Sequence, residues 1–151
     1  MSWMVVRVRG SIHAKRDIVQ TLKLLNLTRP NHATVLPENP SNRGMLIKVQ
    51  GYVTWGEADP ATVELLLSSR GKRSDGRSLS EVGAPEEPAV DLSELSRTVA
   101  TDGLSRVPGI RPLFRLRAPK GGWRSTKKPF TLGGALGYRG ERINELIRRM
   151  V

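Results

Sequence analysis

The sequence has no cysteine and only two histidines, His13 and His32. Disulfides, cysteine-based zinc sites and thiol catalysis are therefore excluded. Neither histidine has a carboxylate cluster beside it in sequence, so no metal is expected. No apolar run approaches the roughly 20 residues of a membrane span. The N-terminus lacks the apolar core of a signal peptide, which makes the cytoplasm the expected compartment. There is no G-x-x-x-x-G-K-[ST] loop and no readable Ser-His-Asp constellation, so no nucleotide cofactor or acyl-transfer chemistry is expected. A further absence is local. From Val107 to Gly140 the chain has no Asp or Glu, yet it carries Arg111, Arg115, Arg117, Lys120, Arg124, Lys127, Lys128 and Arg139. A long run of one sign repels itself unless something negative lies against it.

The rest of the charge follows suit. The formal net charge is +11 and the sequence pI is about 11.0. Residues 1–56 hold eight Lys or Arg against two acids, residues 57–102 five against ten, and residues 103–151 twelve against two. A cationic head and tail around an acidic middle describe two parts that grip a polyanion while the middle faces solvent. Nucleic acid is the commonest such partner.

Hydrophobic content of 38% allows a modest core in a chain of 151 residues. Val6 and Val8 alternate with Arg7 and Arg9, which predicts a half-buried strand. Ile18, Val19, Leu22 and Leu25 form one stripe of a helix over Lys15–Leu25, with Asn26 at its C-terminus. Ala33–Leu36 reads as a strand ended by Pro37. Pro40 and Ser41 open a second helix, with Ser41 as N-cap, and Gly51 ends it. Tyr52–Trp55 is a third strand. This order predicts an α/β (α+β) fold with a ferredoxin-like split βαβ core over residues 1–58, its helices on one sheet face. Residues 59–151 form an appended helical and basic C-terminal half. There Asp59-Pro60 starts a helix that Gly71 stops. Residues 72–89 read as a mobile loop, and Asp91 with Glu94 as a capping box before Leu92, Leu95 and Val99. Val107–Ile110 is a turn, Leu113–Arg117 a strand, and Glu141–Met150 a helix.

Within that frame, Lys120-Gly121-Gly122-Trp123-Arg124, followed by Lys127 and Lys128, is the sharpest element. Glycines fit the loop to a groove, cations neutralise phosphates, and the indole stacks on a base or ribose. The alternative is a basic loop whose Trp folds back on its own core. Gly137-Tyr138-Arg139-Gly140 has the GxxG spacing of a KH backbone clamp, or of a tight turn before a helix. Arg7, Arg9, Arg115 and Arg117 are candidates to line one sheet face. Lys15 and Arg16 start a helix, where cations oppose the dipole unless an anion offsets them. Arg43 and Lys48, on the outer side of the second helix, and Trp55 on the third strand complete the RNA-binding candidates.

The sequence resembles the archaeal-type form of the large-subunit ribosomal protein L30 family, whose eukaryotic relatives are the L7 proteins. The resemblance rests on residues 5–49, on YVTWGEAD at 52–59, on PGIRPLFRLRAPKGGW at 108–123 and on GGALGYRGERINELIRRM at 133–150. It implies a non-catalytic rRNA-binding protein of the large subunit. The expected partners are 23S-type rRNA, the vicinity of 5S rRNA, and neighbouring ribosomal proteins. The protein would be present as a single copy, with no homo-oligomer. Two other readings stand beside it. One is a regulatory single-stranded RNA binder using the GxxG turn. The other is an acylphosphatase-like enzyme, since VRVRGSIHAKRD is loosely similar to the phosphate-binding turn of that family.

Overall fold

The computed structural model describes residues 2–10, 12–72, 92–103, 110–123 and 125–151. Its strands are β1 (Ser2–Arg7), β2 (His32–Pro37), β3 (Val53–Glu57), β4 (Phe114–Arg115), β5 (Ser125–Pro129) and β6 (Gly134–Tyr138). Its α-helices are α1 (Arg16–Leu24), α2 (Pro40–Lys48), α3 (Pro60–Arg70), α4 (Leu92–Asp102) and α5 (Arg142–Met150). The strands form one mixed sheet in the order β4-β2-β1-β3-β6-β5. β1 pairs antiparallel with β2 and β3, Val5 lying opposite Thr34 and Trp55. β4 extends the β2 edge through His32–Arg115 and Ala33–Phe114. β6 runs parallel to β3, and β5 pairs parallel with β6 with an irregular register between Ser125 and Pro129. The βαβαβ order of the first 57 residues and the mixed sheet agree with the ferredoxin-like α+β expectation.

Two cores sandwich the sheet. On one face Val5, Val53 and Trp55 pack with Leu22, Leu25, Leu27, Leu46 and Val49, so α1 and α2 lie together as expected. On the other face Met4, Val6, Ala33 and Val35 lie under Val63, Leu66 and Leu67 of α3, Val99 of α4, and Ile143, Leu146 and Ile147 of α5. β1 is thus buried on both sides, not on one. The Val-Arg alternation at its end misleads, whereas the unbroken run Trp3-Met4-Val5-Val6 is the pattern of a strand covered on both faces.

Local signals explain the element ends. α1 closes in a Schellman motif: Leu27 N donates to Leu22 O at 2.9 Å and Asn26 N to Lys23 O at 3.0 Å, with Asn26 at φ 63°. The N-cap of α2 is Asn39, not Ser41; its Oδ1 accepts from Asn42 N at 2.7 Å, and Pro40 takes the first helical position, where no N–H is needed. Asp59 caps α3 as expected, accepting from Ala61 N at 3.2 Å. Asn144 of α5 accepts from Asp59 N at 3.0 Å and donates to Glu57 O at 3.2 Å, which ties α5 to the β3–α3 junction. There Gly56 is obligatory, because a Cβ on it would fall 1.9 Å from Gly140 O. Of the expected loop at 72–89 and turn at 107–110 only Lys72 and Ile110 are described, each in a β-bridge; the rest, the Asp91–Glu94 capping box and the side chains of Leu92 and Leu95 lie outside the described residues.

Candidate nucleic-acid interface

The segment after β4 is held along α5. Arg117 N donates to Met150 O at 3.3 Å and Lys120 N to Arg149 O at 3.0 Å. Gly121 and Gly122 then make an exposed turn, closed by Gly122 N to Pro119 O at 3.0 Å, with φ of 84° and 74° that a side chain would strain. Trp123 does not project as a free stacking platform. It is half-buried, packed against both the main core and a small cluster of Val8, Ala135 and Leu136. The fold-back alternative therefore describes its ring better. Arg124 lies outside the described residues. Lys127 and Lys128 are exposed on β5, which is an edge strand and not loop. Beside them a cavity of about 150 Å³ is walled by Trp123, Phe130, Arg139, Arg142, Glu145 and Arg149.

Three sequence candidates turn out to be structural. Arg7 is 2% exposed; its Nε donates to Arg9 O at 2.9 Å and its NH1 to Leu27 O at 2.8 Å. Burial lowers its pKa, with the nearby Tyr52 opposing, but a guanidinium keeps its charge in proteins. Trp55 is 8% exposed, in the α1–α2 core. Arg139 stacks on Phe130 at 4.8 Å, with Nε donating to Thr54 Oγ1 and NH2 to Ala135 O, each at 2.8 Å. The GxxG sequence is accordingly a strand end and turn whose arginine holds β3 and β6 together. Tyr138 is exposed and its hydroxyl donates to Glu57 Oε1. That bond, then desolvation, then the negative charges of Glu57, Glu38 and Glu141, push its pKa up to about 12.

The four arginines proposed for one sheet face do not line it as one exposed row. Arg7 is internal, and Arg9 lies beyond β1 with its guanidinium over the Tyr52 ring at 5.3 Å. Arg115 is exposed at the β4 edge, and Arg117 donates to Val151 O at 2.8 Å. His32, opposite Arg115, has its pKa lowered by burial first and then by Arg115, Arg29 and Arg7. Lys15, Arg16, Arg43 and Lys48 are exposed on the helical layer of α1 and α2, where Lys48 Nζ lies 3.7 Å from Asp17 Oδ2. In water such a pair contributes about 0–1 kcal/mol. The sequence reading did not include Arg142 and Arg149, which wall the cavity beside β5. Their signal was the seven-residue spacing, which puts both on one face of α5 with Glu145 between them.

Among the described residues no group of three or more His, Cys, Asp or Glu is placed to hold a metal ion. Among the same residues no helix is long and apolar enough to cross a membrane. What the described surface offers is cations on strand edges and helix ends.

Comparison with known proteins gives that surface its context. The family model described as Ribosomal protein L30p/L7e matches residues 3–53, from β1 to the first residue of β3. A large ribosomal subunit protein uL30 from Methanosphaera stadtmanae is 41% identical over 151 residues, covering 99% of each chain. One from Methanopyrus kandleri is 42% identical over 95% of this chain and 100% of its own. One from Nanoarchaeum equitans is 40% identical over 99% and 98%. The L30p/L7e family is structural and non-enzymatic. With relatives of this identity along its whole length, the chain belongs to the ribosomal protein L30p/L7e family, in its archaeal-type form.

Proposed function

We propose that the protein is a structural constituent of the large ribosomal subunit. It binds folded 23S-type rRNA through exposed cations, and it supports subunit assembly and translation in the cytoplasm. The observation that carries this reading is the chain-wide similarity, near 40% identity, to proteins named as large-subunit components. The charge pattern supports it: Lys15, Arg16, Arg43, Lys120, Lys127 and Lys128 are all exposed. A single copy per subunit, neighbouring ribosomal proteins and proximity to 5S rRNA belong to the same reading. A KH-like clamp is less well supported, since Arg139 of the GxxG sequence is taken up by Thr54, Ala135 and Phe130. The test is sedimentation of cell extract at graded salt. The protein is expected to travel with large subunits and to leave them only at high salt, because phosphate contacts weaken by counterion release. A pool found mostly free at low salt would overturn the reading.

A further inference from the structure

Far from the β5 edge, where α3 ends and the chain approaches β4, Arg70, Lys72, Arg111 and Arg115 line one cavity of about 290 Å³ together with Ser69. No described carboxylate lines it, and none of the four cations forms an ion pair with a described acid. The backbone that carries them is fixed. Gly71 N donates to Leu67 O at 3.2 Å and Arg111 N to Lys72 O at 2.9 Å, while Thr34 Oγ1 donates to Pro112 O at 2.8 Å. Phe114, fully buried, anchors the approach to β4. Four like charges converging on one concavity repel each other unless an anion sits among them. Three of the four are arginines, whose planar forks match the oxygens of a phosphate.

We propose that this cavity takes backbone phosphates of rRNA, so that the protein holds RNA at both edges of its sheet. The proposal rests on the rRNA-binding reading above and extends it to a site on the opposite edge. β4 and β5 are the outermost strands of six. At about 4.8 Å per strand they lie roughly 24 Å apart, so the two groups of cations are separate sites on the surface.

The experiment uses the full chain and transcribed large-subunit rRNA, with affinity measured at several salt concentrations. Lys72 and Arg115 are exposed, so the K72A/R115A variant leaves the core intact; K127A/K128A does the same at the other edge. Each variant is expected to reduce the salt slope by about 0.7–0.9 per lost phosphate contact. Combined, the two losses are expected to add, as they do for sites more than about 10 Å apart. In a companion titration with inorganic phosphate, the amide resonances of Gly71 and Lys72 are expected to shift. If K72A/R115A keeps the parent's affinity and slope, the cavity is not a phosphate site. If that variant keeps rRNA binding but loses binding to polyglutamate, the cavity belongs to an acidic protein segment and the proposal falls. A parent chain that does not bind rRNA overturns the rRNA reading itself, a failure visible before any variant is compared.

Discussion

Arg7 and Arg115 stand in matching contexts, Val-Arg-Val and Phe-Arg-Leu, and end in opposite places. Arg7 is in the central strand, where its guanidinium satisfies Leu27 O and Arg9 O under the α1 C-terminus. Arg115 is on a two-residue edge strand and stays exposed. Alternation says that two residues point one way, but not whether that side is covered. Tyr138 shows the same dependence on partner. Its pKa is raised to about 12, chiefly by the bond to Glu57. The ordinary tyrosine value is about 10. A folded pKa above the unfolded one contributes stability that is complete below about pH 10 and is lost as pH rises through about 12. In a Tyr52→Phe background, phenolate absorbance is expected to titrate Tyr138 near pH 12. Glu57→Gln is expected to move that midpoint down toward about 10, because the carboxylate and its charge are gone. An unmoved midpoint would mean that Glu57 is not the cause.

Among elements, the helices were the most legible. Stripes at three and four residues, Asp59-Pro60 at the start of α3 and Asn26 after α1 are local signals with local causes, and they hold in the structure. The strands β5 and β6 were not legible. Ser-Thr-Lys-Lys-Pro carries no alternation, and it becomes a strand only because the Gly134–Tyr138 strand docks on β3 and offers it an edge. The candidate site fared likewise. Exposure of Lys127 and Lys128 followed from charge, but the inward packing of Trp123 and the internal role of Arg139 depend on Val8 and Thr54, both distant in sequence. Gly56 is the clearest non-local requirement. It sits in a good β-run, yet α5 enters over its bare Cα, with Gly140 O and Ile143 Cγ2 at 1.9 and 2.9 Å from an added Cβ. Gly56→Ala must push the start of α5 away from β3. Overpacking of this kind costs about 1–3 kcal/mol, and more where backbone blocks the way, so a loss of about 3 kcal/mol is expected. Urea denaturation measures it; a midpoint equal to the parent's would show that α5 shifts freely.

At the scale of the whole molecule, the family match ends at residue 53 while the sheet does not. The division near residue 58 remains a proposal about chemistry: a compact α/β unit, then a half that carries most of the cations. Cooperativity divides differently. Met4, Val6 and Val35 have no exposed surface, and their cover comes from α3, α4 and α5. Uncovering three such side chains costs roughly 5–9 kcal/mol at about 1.5–3 each. A typical domain has only about 5–15 kcal/mol of stability in total. Residues 1–58 alone, with α1 and α2 on one face and bare apolar strands on the other, are therefore expected to lose the native transition. Thermal denaturation followed by circular dichroism is expected to give one sharp transition for the full chain. The fragment should show a broad, non-cooperative decline and bind a hydrophobic dye. A sharp transition in the fragment at the full chain's temperature would show that α1, α2 and their own core suffice, and that the second helical layer serves RNA contact more than folding.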